Sequence, residues 1–276
     1  MRKNRIASRY WRLASKYCRI AGVAPAGPWE TDEEDIGGLG EYNIAAAMLI
    51  LALDTTTASG SAALFRDGVV VVERAGDDTL MHAERLPREL MAVLDAAGAR
   101  LADVDLFAVA SGPGSFTGLR VGIASMQGLA LAHHKPAAPV PALDAHAWRL
   151  RHRGTAIAAW MDARRGEVFA ALYSEDGTLV RAATALPPDR TLDSWRDALA
   201  ASRPITFVGT GAVRYRHEII ARAPGALVVD EVPLLAGAIA EIANATPSIA
   251  VAPHAIVPVY VRRPDAELAR ERRRHG

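Results

Sequence analysis

The stretch LILALDTTTASGSAALFRDGVVVVE, Leu49 to Glu73, alternates short apolar runs with polar turns. The first run, LILAL, is too short for a helix and is typical of a buried strand, which ends at Asp54. SAALF predicts a second strand, and the Asp67-Gly68 pair predicts the turn into a third, because both residues tolerate positive φ. The stretch therefore predicts three consecutive strands, with a carboxylate at the end of the first.

A predicted helix and a fourth strand follow. An apolar stripe from His82 to Leu94 predicts an amphipathic helix, and Gly98 marks its end. VDLFAVA then predicts a buried strand, and SGPGSFTGLRVG, Ser111 to Gly122, leads into a further helix. The element order of this half is therefore βββαβ, with a glycine-rich loop after the fourth strand.

The same order returns in the second half of the chain. AIAAWMDARRGEVFAALYSEDGTLV, residues 156–180, again has an apolar run that ends in aspartate, a turn, a second run, an Asp-Gly turn and a third run. ITFVGTG, residues 205–211, matches FAVASGPG, residues 107–114. An internal repeat of this length predicts a duplicated fold. We expect two similar α/β lobes, at residues 48–150 and 151–264, with helices packed on mixed sheets and a cleft between the lobes.

Composition and charge exclude several classes of protein. The chain has 276 residues, 50% of them hydrophobic, which is enough for a sizeable core. The formal net charge of +1 gives no global field of the kind that marks a nucleic-acid or membrane protein. No apolar run reaches the roughly 18 residues of a membrane-spanning helix. Cys18 is the single cysteine of the sequence, which excludes an internal disulfide and fits a reducing compartment.

Both ends of the chain differ in composition from the rest. Residues 1–47 carry a basic block and then an acidic, glycine-rich block, which is typical of a disordered extension. The alternative is that translation truly starts at Met48, which directly precedes the first strand, and that the start codon at Met1 lies too far upstream. A targeting peptide and a basic arm for RNA are the alternatives for this extension. Residues 265–276 predict a basic, solvated tail.

Four motifs carry a resemblance to a known family. They are LILALDTTTASGSAALF, GPGSFTGLRVG, MDARRGEVFAALY and PVYVR, in that order. The duplicated βββαβ plan resembles the actin, sugar-kinase and Hsp70 superfamily, and the four motifs resemble the bacterial TsaB family, also called YeaZ. The resemblance covers about residues 48–264, and it implies a duplicated actin-like fold of two lobes.

The resemblance also implies an indirect role in RNA modification. TsaB proteins are non-catalytic, dimerising subunits of the machinery that makes N6-threonylcarbamoyladenosine at position 37 of tRNAs that read codons beginning with A. The resemblance therefore implies a catalytic paralogue, TsaD, as partner, a small ATPase, TsaE, on the assembled pair, and a homodimer of the subunit alone. It further implies a cytoplasmic protein that contacts tRNA only through the complex and binds no membrane.

The histidines and hydroxyls do not predict a catalytic centre. The catalytic paralogue that this chain resembles carries two histidines four residues apart on its first long helix, a spacing that can hold one metal. The corresponding segment here, MHAERLPREL, has His82 but Leu86 in the second position. We therefore expect no bound metal, and His82 as a satisfied polar group. Ser115 and Thr117 lack the surroundings of a nucleophile, and capping of the following helix is their simpler role.

A nucleotide site is an alternative interpretation of two strand ends. Asp54 and Thr55 stand where kinases of the superfamily organise Mg²⁺ and phosphate, and the Gly209 to Gly211 turn offers close approach to adenosine. A threonine-rich turn lacks the glycines that wrap phosphate, however, and a tight strand-to-helix turn explains the two glycines equally well. We expect no tightly bound cofactor, and weak binding of ATP or ADP stays open.

The helix from Phe116 to Ala132 is apolar nearly all round, so its own sheet cannot cover all of it. Gly118 and Gly122 lie four residues apart and remove side chains from one side, which allows another backbone to approach. The second lobe is one candidate for this cover; the resemblance favours a partner helix. The predicted interface residues are Leu86, Leu90, Phe116, Leu119, Arg120, Ile123 and Met126.

Two other functions fit the same fold class. A small-molecule kinase would bind ATP measurably and depend on Asp54 for turnover. A metallopeptidase of the M22 type would need a bound metal. The resemblance favours a scaffold subunit without chemistry of its own over both.

Overall fold

A computed structural model describes residues 48–200 and 204–262 of the chain. The strands are β1 (Leu49–Asp54), β2 (Ser61–Arg66), β3 (Val69–Ala75), β4 (Leu106–Gly112), β5 (Ala137–Pro141), β6 (Ala156–Asp162), β7 (Val168–Tyr173), β8 (Leu179–Leu186), β9 (Ile205–Val208) and β10 (Leu227–Val228). The helices are α1 (His82–Ala96), α2 (Phe116–Ala132), α3 (Ala142–Leu150), α4 (Pro188–Ser194), α5 (Arg196–Ala200), α6 (Thr210–Arg214), α7 (Arg216–Arg222) and α8 (Ala236–Ala245). The predictions for residues 1–47 and 265–276 lie outside the described residues.

The two halves of the chain form two sheets of the same topology. The first has the order β3-β2-β1-β4-β5, and the second has the order β10-β9-β6-β7-β8, which is the same arrangement read from the other edge. In each sheet the first strand of the repeat pairs antiparallel with the second and parallel with the fourth. The prediction of a duplicated actin-like α/β fold with mixed sheets is confirmed.

The central strand of each sheet is buried on both faces. All six residues of β1 are buried, and they alternate between two cores. Ile50 and Ala52 face the interior between the sheets, whereas Leu49, Leu51 and Leu53 face α1 and α2 on the outside. A continuous apolar run therefore suits a strand covered on both faces.

Helix α2 is covered by its own chain over most of its length, with its two ends exposed. Ser115 caps its N-terminus, where the Ser115 hydroxyl accepts the Gly118 N–H at 3.2 Å. The inner face packs on β1 and β4 and beside α1. On the outer face, the side-chain amide of Gln127 donates to the carbonyl of Pro253 at 2.7 Å, and Ile256 is buried there. The C-terminal segment, which lies in the predicted second lobe, thus covers part of this face. This is the second-lobe alternative of the sequence analysis and not the partner helix that the resemblance favoured.

Two helices fill the space between the sheets. Helix α3 follows the first sheet but packs on β6 of the second, and α8 follows the second sheet but packs on β1 and β2 of the first. One hydrophobic cluster combines residues of both sheets with both helices. The predicted cleft between the lobes is therefore occupied over much of its depth by the chain itself.

A group of polar side chains fixes the N-terminus of α8 to the first lobe. The Ser61 hydroxyl accepts the N–H groups of Leu235 and Ala236 at 3.2 and 3.0 Å. The Glu73 carboxylate accepts the Gly237 N–H at 2.7 Å and forms an ion pair with Arg149 of α3. Orphan N–H groups at a helix start need such acceptors, so these contacts connect the lobes.

Residues 150 and 264 stay predicted lobe boundaries. In the part of the chain that the structure describes, no helix is long and apolar enough to cross a membrane.

Candidate functional site

The turn between β1 and β2 holds the first predicted nucleotide-binding residues. Asp54 is 3% exposed, and its Oδ1 accepts the Thr56 N–H at 2.8 Å. Burial raises the pKa of the Asp54 carboxyl, and hydrogen bonds from Thr56 oppose this shift. The carboxylate is therefore directed to the backbone of its own turn.

The start of α2 lies directly against this turn. The Ser115 N–H donates to the Thr56 carbonyl at 2.8 Å. A Cβ placed on Gly118 would overlap the Thr55 carbonyl oxygen, and a Cβ on Gly122 would overlap the Thr55 hydroxyl. These two glycines therefore admit the β1–β2 turn of the same lobe. The predicted close approach of another backbone is confirmed, but that backbone is the β1–β2 turn and neither a partner helix nor the second lobe. A single sequence does not show which backbone is nearest.

The second predicted nucleotide-binding pair also has an intrachain explanation. Gly209 has φ of 107°, and a Cβ there would overlap the carbonyl of Trp160 in β6. A Cβ on Gly211 would lie 2.9 Å from the carbonyl carbon of Met161. Both glycines are needed where the β9–α6 turn presses against β6. The nearby Asp162 is occupied by an ion pair with Arg214 at 3.1 Å.

His82 has partners at both ring nitrogens. Nε2 lies 2.9 Å from the Thr57 carbonyl, and Nδ1 lies 2.8 Å from Nη2 of Arg85. A guanidinium only donates, so Nδ1 accepts and Nε2 carries the proton that it donates to Thr57. Burial, and then the Arg85 charge, lower the pKa of His82. Among residues 48–200 and 204–262 no three histidine, cysteine, aspartate or glutamate side chains gather as a metal site would require.

Sequence reasoning missed Arg85, which organises this end of the lobe. The Arg85 side chain is 1% exposed and forms an ion pair with Glu89 at 2.6 Å. Its Nη2 also donates to the carbonyls of Ala58 and Ser59 in the β1–β2 turn. The four-residue spacing of Arg85 and Glu89 on one helix predicts a pair, but nothing in the sequence indicates that the pair is buried beneath a turn.

Five of the seven predicted interface residues belong to the core of the chain. Their relative exposures run from 0% to 4%. The apolar face that they form is covered by the first sheet, by the packing of α1 on α2, and by the segment around Ile256. This placement corrects the assignment, since a partner cannot contact side chains that the monomer already encloses. The five are Leu86, Leu90, Leu119, Ile123 and Met126.

Phe116 and Arg120, the other two, are exposed at the N-terminus of α2. The Arg120 guanidinium stacks on the Phe116 ring at 3.6 Å, and its Nε donates to the Tyr260 hydroxyl at 3.0 Å. Val257 and Val259 precede Tyr260 in the same segment and are also exposed, with relative exposures of 70% and 45%. We call these five residues the α2 N-terminal patch.

The patch includes part of the PVYVR motif, which runs between the lobes. The Val259 N–H donates to the Ser111 carbonyl of the first lobe at 2.7 Å. Arg262 reaches the second lobe, where it forms an ion pair with Glu167 at 2.8 Å. The sequence identified this motif only as a family signature, because contacts so distant along the chain leave no local pattern.

The fold and these sites define a two-lobed, actin-like protein in which the start of α2 lies against the β1–β2 turn. Residues 77–204 match the sequence profile of the family described as TsaD, tRNA N6-adenosine threonylcarbamoyltransferase.

Two curated relatives carry the name TsaB. The chain is 39% identical over 140 residues to the tRNA threonylcarbamoyladenosine biosynthesis protein TsaB of Escherichia coli. The aligned region covers 47% of this chain and 56% of that protein. The chain is 32% identical over 165 residues to the TsaB of Bacillus subtilis, and the aligned region covers 59% of this chain and 71% of that protein.

A solved structure agrees with these relatives. YeaZ from Pseudomonas aeruginosa superposes with a TM-score of 0.63 at 33% identity, over 77% of this chain and 99% of that one. The chain belongs to the TsaB family, also called YeaZ.

Proposed function

We propose that this chain is the non-catalytic partner of a TsaD-type transferase that forms N6-threonylcarbamoyladenosine in tRNA. The names of the E. coli and B. subtilis relatives supply the product, and the TsaD profile supplies the class of partner. The observation that carries the proposal is the contact of Gly118 and Gly122 with Thr55, because the protein's own helix then lies against the β1–β2 turn, where a nucleotide phosphate would have to approach Asp54 and Thr55.

The polar groups at the strand ends support a subunit without chemistry of its own. Asp54 serves its own turn, Asp162 is paired with Arg214, and both nitrogens of His82 are engaged. A neutral imidazole whose acceptor nitrogen is already engaged, as in His82, is not available as a general base or a metal ligand. The subunit thus acts without a tightly bound nucleotide or metal.

The α2 N-terminal patch is the surface that docks the paralogue. It combines an aromatic ring, a stacked arginine and exposed valines, the composition that anchors protein interfaces. Arg120 is already held by Phe116 and Tyr260, so little side-chain entropy is lost on docking. TsaE then joins the assembled pair in the cytoplasm, and the same patch supports a homodimer when TsaD is absent.

Threonylcarbamoyl transfer to a tRNA transcript tests this function. We expect no transfer by this protein alone, little by TsaD alone, and full transfer by both together with TsaE. Transfer by this chain alone would mean that Asp54 or Asp162 takes part in chemistry. Full transfer by TsaD and TsaE without this chain would remove the scaffold role.

The Phe116→Asp variant is expected to weaken pairing with TsaD by at least about tenfold, because it places a carboxylate where an aromatic anchor docks. Leu131→Asp is the matched control, since Leu131 is 46% exposed near the other end of the same helix. Titration calorimetry gives both affinities, and urea unfolding shows whether each variant stays folded. A loss of pairing with the Leu131 variant alone would place the interface at the opposite end of α2.

A further inference from the structure

The turn between β6 and β7 presents arginines on an unusual backbone. Arg164, Arg165 and Gly166 have consecutive φ values of 61°, 57° and 77°. Two successive non-glycine residues in the left-handed region are uncommon, and surrounding contacts must stabilise them. Here the Ala163 N–H donates to the Glu167 carbonyl at 3.0 Å, and the Arg164 N–H donates to Asp162 Oδ1 at 2.9 Å. The turn is therefore firmly held, with residues 164–166 exposed.

The charges of this turn are distributed unequally between surface and interior. The Asp162 carboxylate is shared by Arg164 at 3.7 Å and Arg214 at 3.1 Å. The Asp162 side chain is only 12% exposed, whereas those of Arg164 and Arg214 are 79% and 54% exposed. The negative charge is thus shielded while both guanidinium groups face solvent, where their other N–H groups are available to a ligand.

The neighbouring ion pair leaves this surface positive. Glu167 is paired with Arg262, whereas Arg164 and Arg214 share the single carboxylate of Asp162. The described chain ends at Arg262, and the sequence of residues 263–276 carries five arginines and three acidic residues. The sequence that follows Arg262 therefore carries more positive than negative charges.

The chemistry of the turn fits phosphate better than a protein surface. Its exposed residues are two arginines and a glycine, with no apolar side chain of the kind that anchors protein interfaces. A guanidinium group binds phosphate oxygens in a bidentate fork, and exposed arginines beside one another match the spaced charges of a nucleic-acid backbone. The α2 N-terminal patch, by contrast, is mainly apolar and aromatic.

We propose that the arginines of the β6–β7 turn, with Arg214, bind the phosphate backbone of RNA. This inference rests on the proposed function for the identity of the RNA, a tRNA held by the partner transferase. The proposed RNA site lies close to the α2 N-terminal patch. Tyr260 belongs to the patch, and Arg262, two residues later, forms an ion pair with Glu167 of the β6–β7 turn. Two residues of chain span at most about 7 Å. The RNA therefore contacts this subunit directly beside the docked partner.

Fluorescence anisotropy with a labelled, unmodified tRNA transcript tests the proposal. We compare the full chain with a variant that carries Arg164→Gln, Arg165→Gln and Arg214→Gln, each alone and with TsaD. At about 0.1 M salt the variant is expected to bind RNA at least about tenfold more weakly. The slope of log affinity against log salt is expected to fall by about 2 to 3, because each lost phosphate contact removes about one released counterion.

Two further variants separate phosphate binding from effects on the fold. Asp162→Asn keeps an oxygen that accepts the Arg164 N–H but removes the shielded charge, so RNA affinity is expected to rise several-fold. Arg100→Gln is the matched control, because Arg100 is also exposed, at 81%, and ion-paired, but it lies in the first lobe. The RNA affinity of this variant is expected to equal that of the original chain. Thermal unfolding confirms that every variant is folded.

The outcomes distinguish this proposal from the proposed function. Equal RNA affinities of the triple variant and the original chain, or no RNA binding by either, would overturn the phosphate contact. Loss of TsaD pairing by the triple variant with RNA affinity of the chain alone unchanged would make the turn a protein contact, which also overturns it. If the original chain does not pair with TsaD, the proposed function fails, and the RNA affinities of the chain alone still decide this inference.

Discussion

The Met126→Asp variant is expected to lose more than about 4 kcal/mol of the free energy of unfolding. Met126 is 0% exposed and packs in the cluster of the first lobe with Leu90 and Ile123. No partner for a carboxylate is available among these apolar neighbours. A domain with a total stability of about 5–15 kcal/mol is largely unfolded by such a change. Urea unfolding followed by circular dichroism gives the free energy.

Met126→Leu is the control for this variant. It conserves volume and polarity, so we expect a loss below about 1.5 kcal/mol. A Met126→Asp protein that stays folded but no longer pairs with TsaD would show that this face is accessible to a partner. That result would restore the interface that the sequence predicted and contradict its enclosure by the chain.

His146 makes the stability of the chain depend on pH. The side chain is 1% exposed on α3, and neither ring nitrogen has a hydrogen-bond partner among the described residues. Burial lowers its pKa from 6.5 to about 4. Between these two pH values the unfolded chain binds one proton more than the folded chain, so stability falls as the pH falls. The loss is about 3 kcal/mol when pH 4 is reached.

The His146→Leu variant isolates this effect. Burial raises the pKa of Asp54, so the contribution of this carboxyl group to stability rises as the pH falls. The informative quantity is therefore the difference in the free energy of unfolding between the original chain and the His146→Leu variant at each pH. We expect that difference to change by about 3 kcal/mol between pH 7 and pH 4. Parallel curves for both proteins in urea unfolding would contradict a buried, neutral His146.

The repeat of the sequence predicted the repeat of the fold because both depend on local pattern. Apolar runs that end at Asp54 and Asp162 became β1 and β6, and Ser115 became a helix cap. These features depend on residues close together in the chain, where hydrophobic period and capping chemistry are visible. The fold class and the repeated order of the first strands in each half could therefore be predicted, whereas β5, α3, β10 and α8 were not.

The surroundings of the same elements could not be predicted in this way. The sequence showed that α2 is apolar all round, but the segment near Ile256 that covers it lies more than a hundred residues later. Gly118 and Gly122 correctly indicated a close approach, yet the approaching backbone was Thr55. The burial of Arg85 beneath a turn likewise depends on tertiary contacts, which a single sequence does not reveal.

The crossing of α8 between the lobes has a consequence for synthesis of the protein on the ribosome. The inner face of the first sheet, with Ile50 and Ala52, meets α8 only after residues 236–245 have emerged. A nascent first lobe therefore exposes apolar surface for most of translation, a condition that favours aggregation and engages chaperones. Contacts so far apart in sequence also slow folding. The end of the chain thus completes the core that its beginning starts.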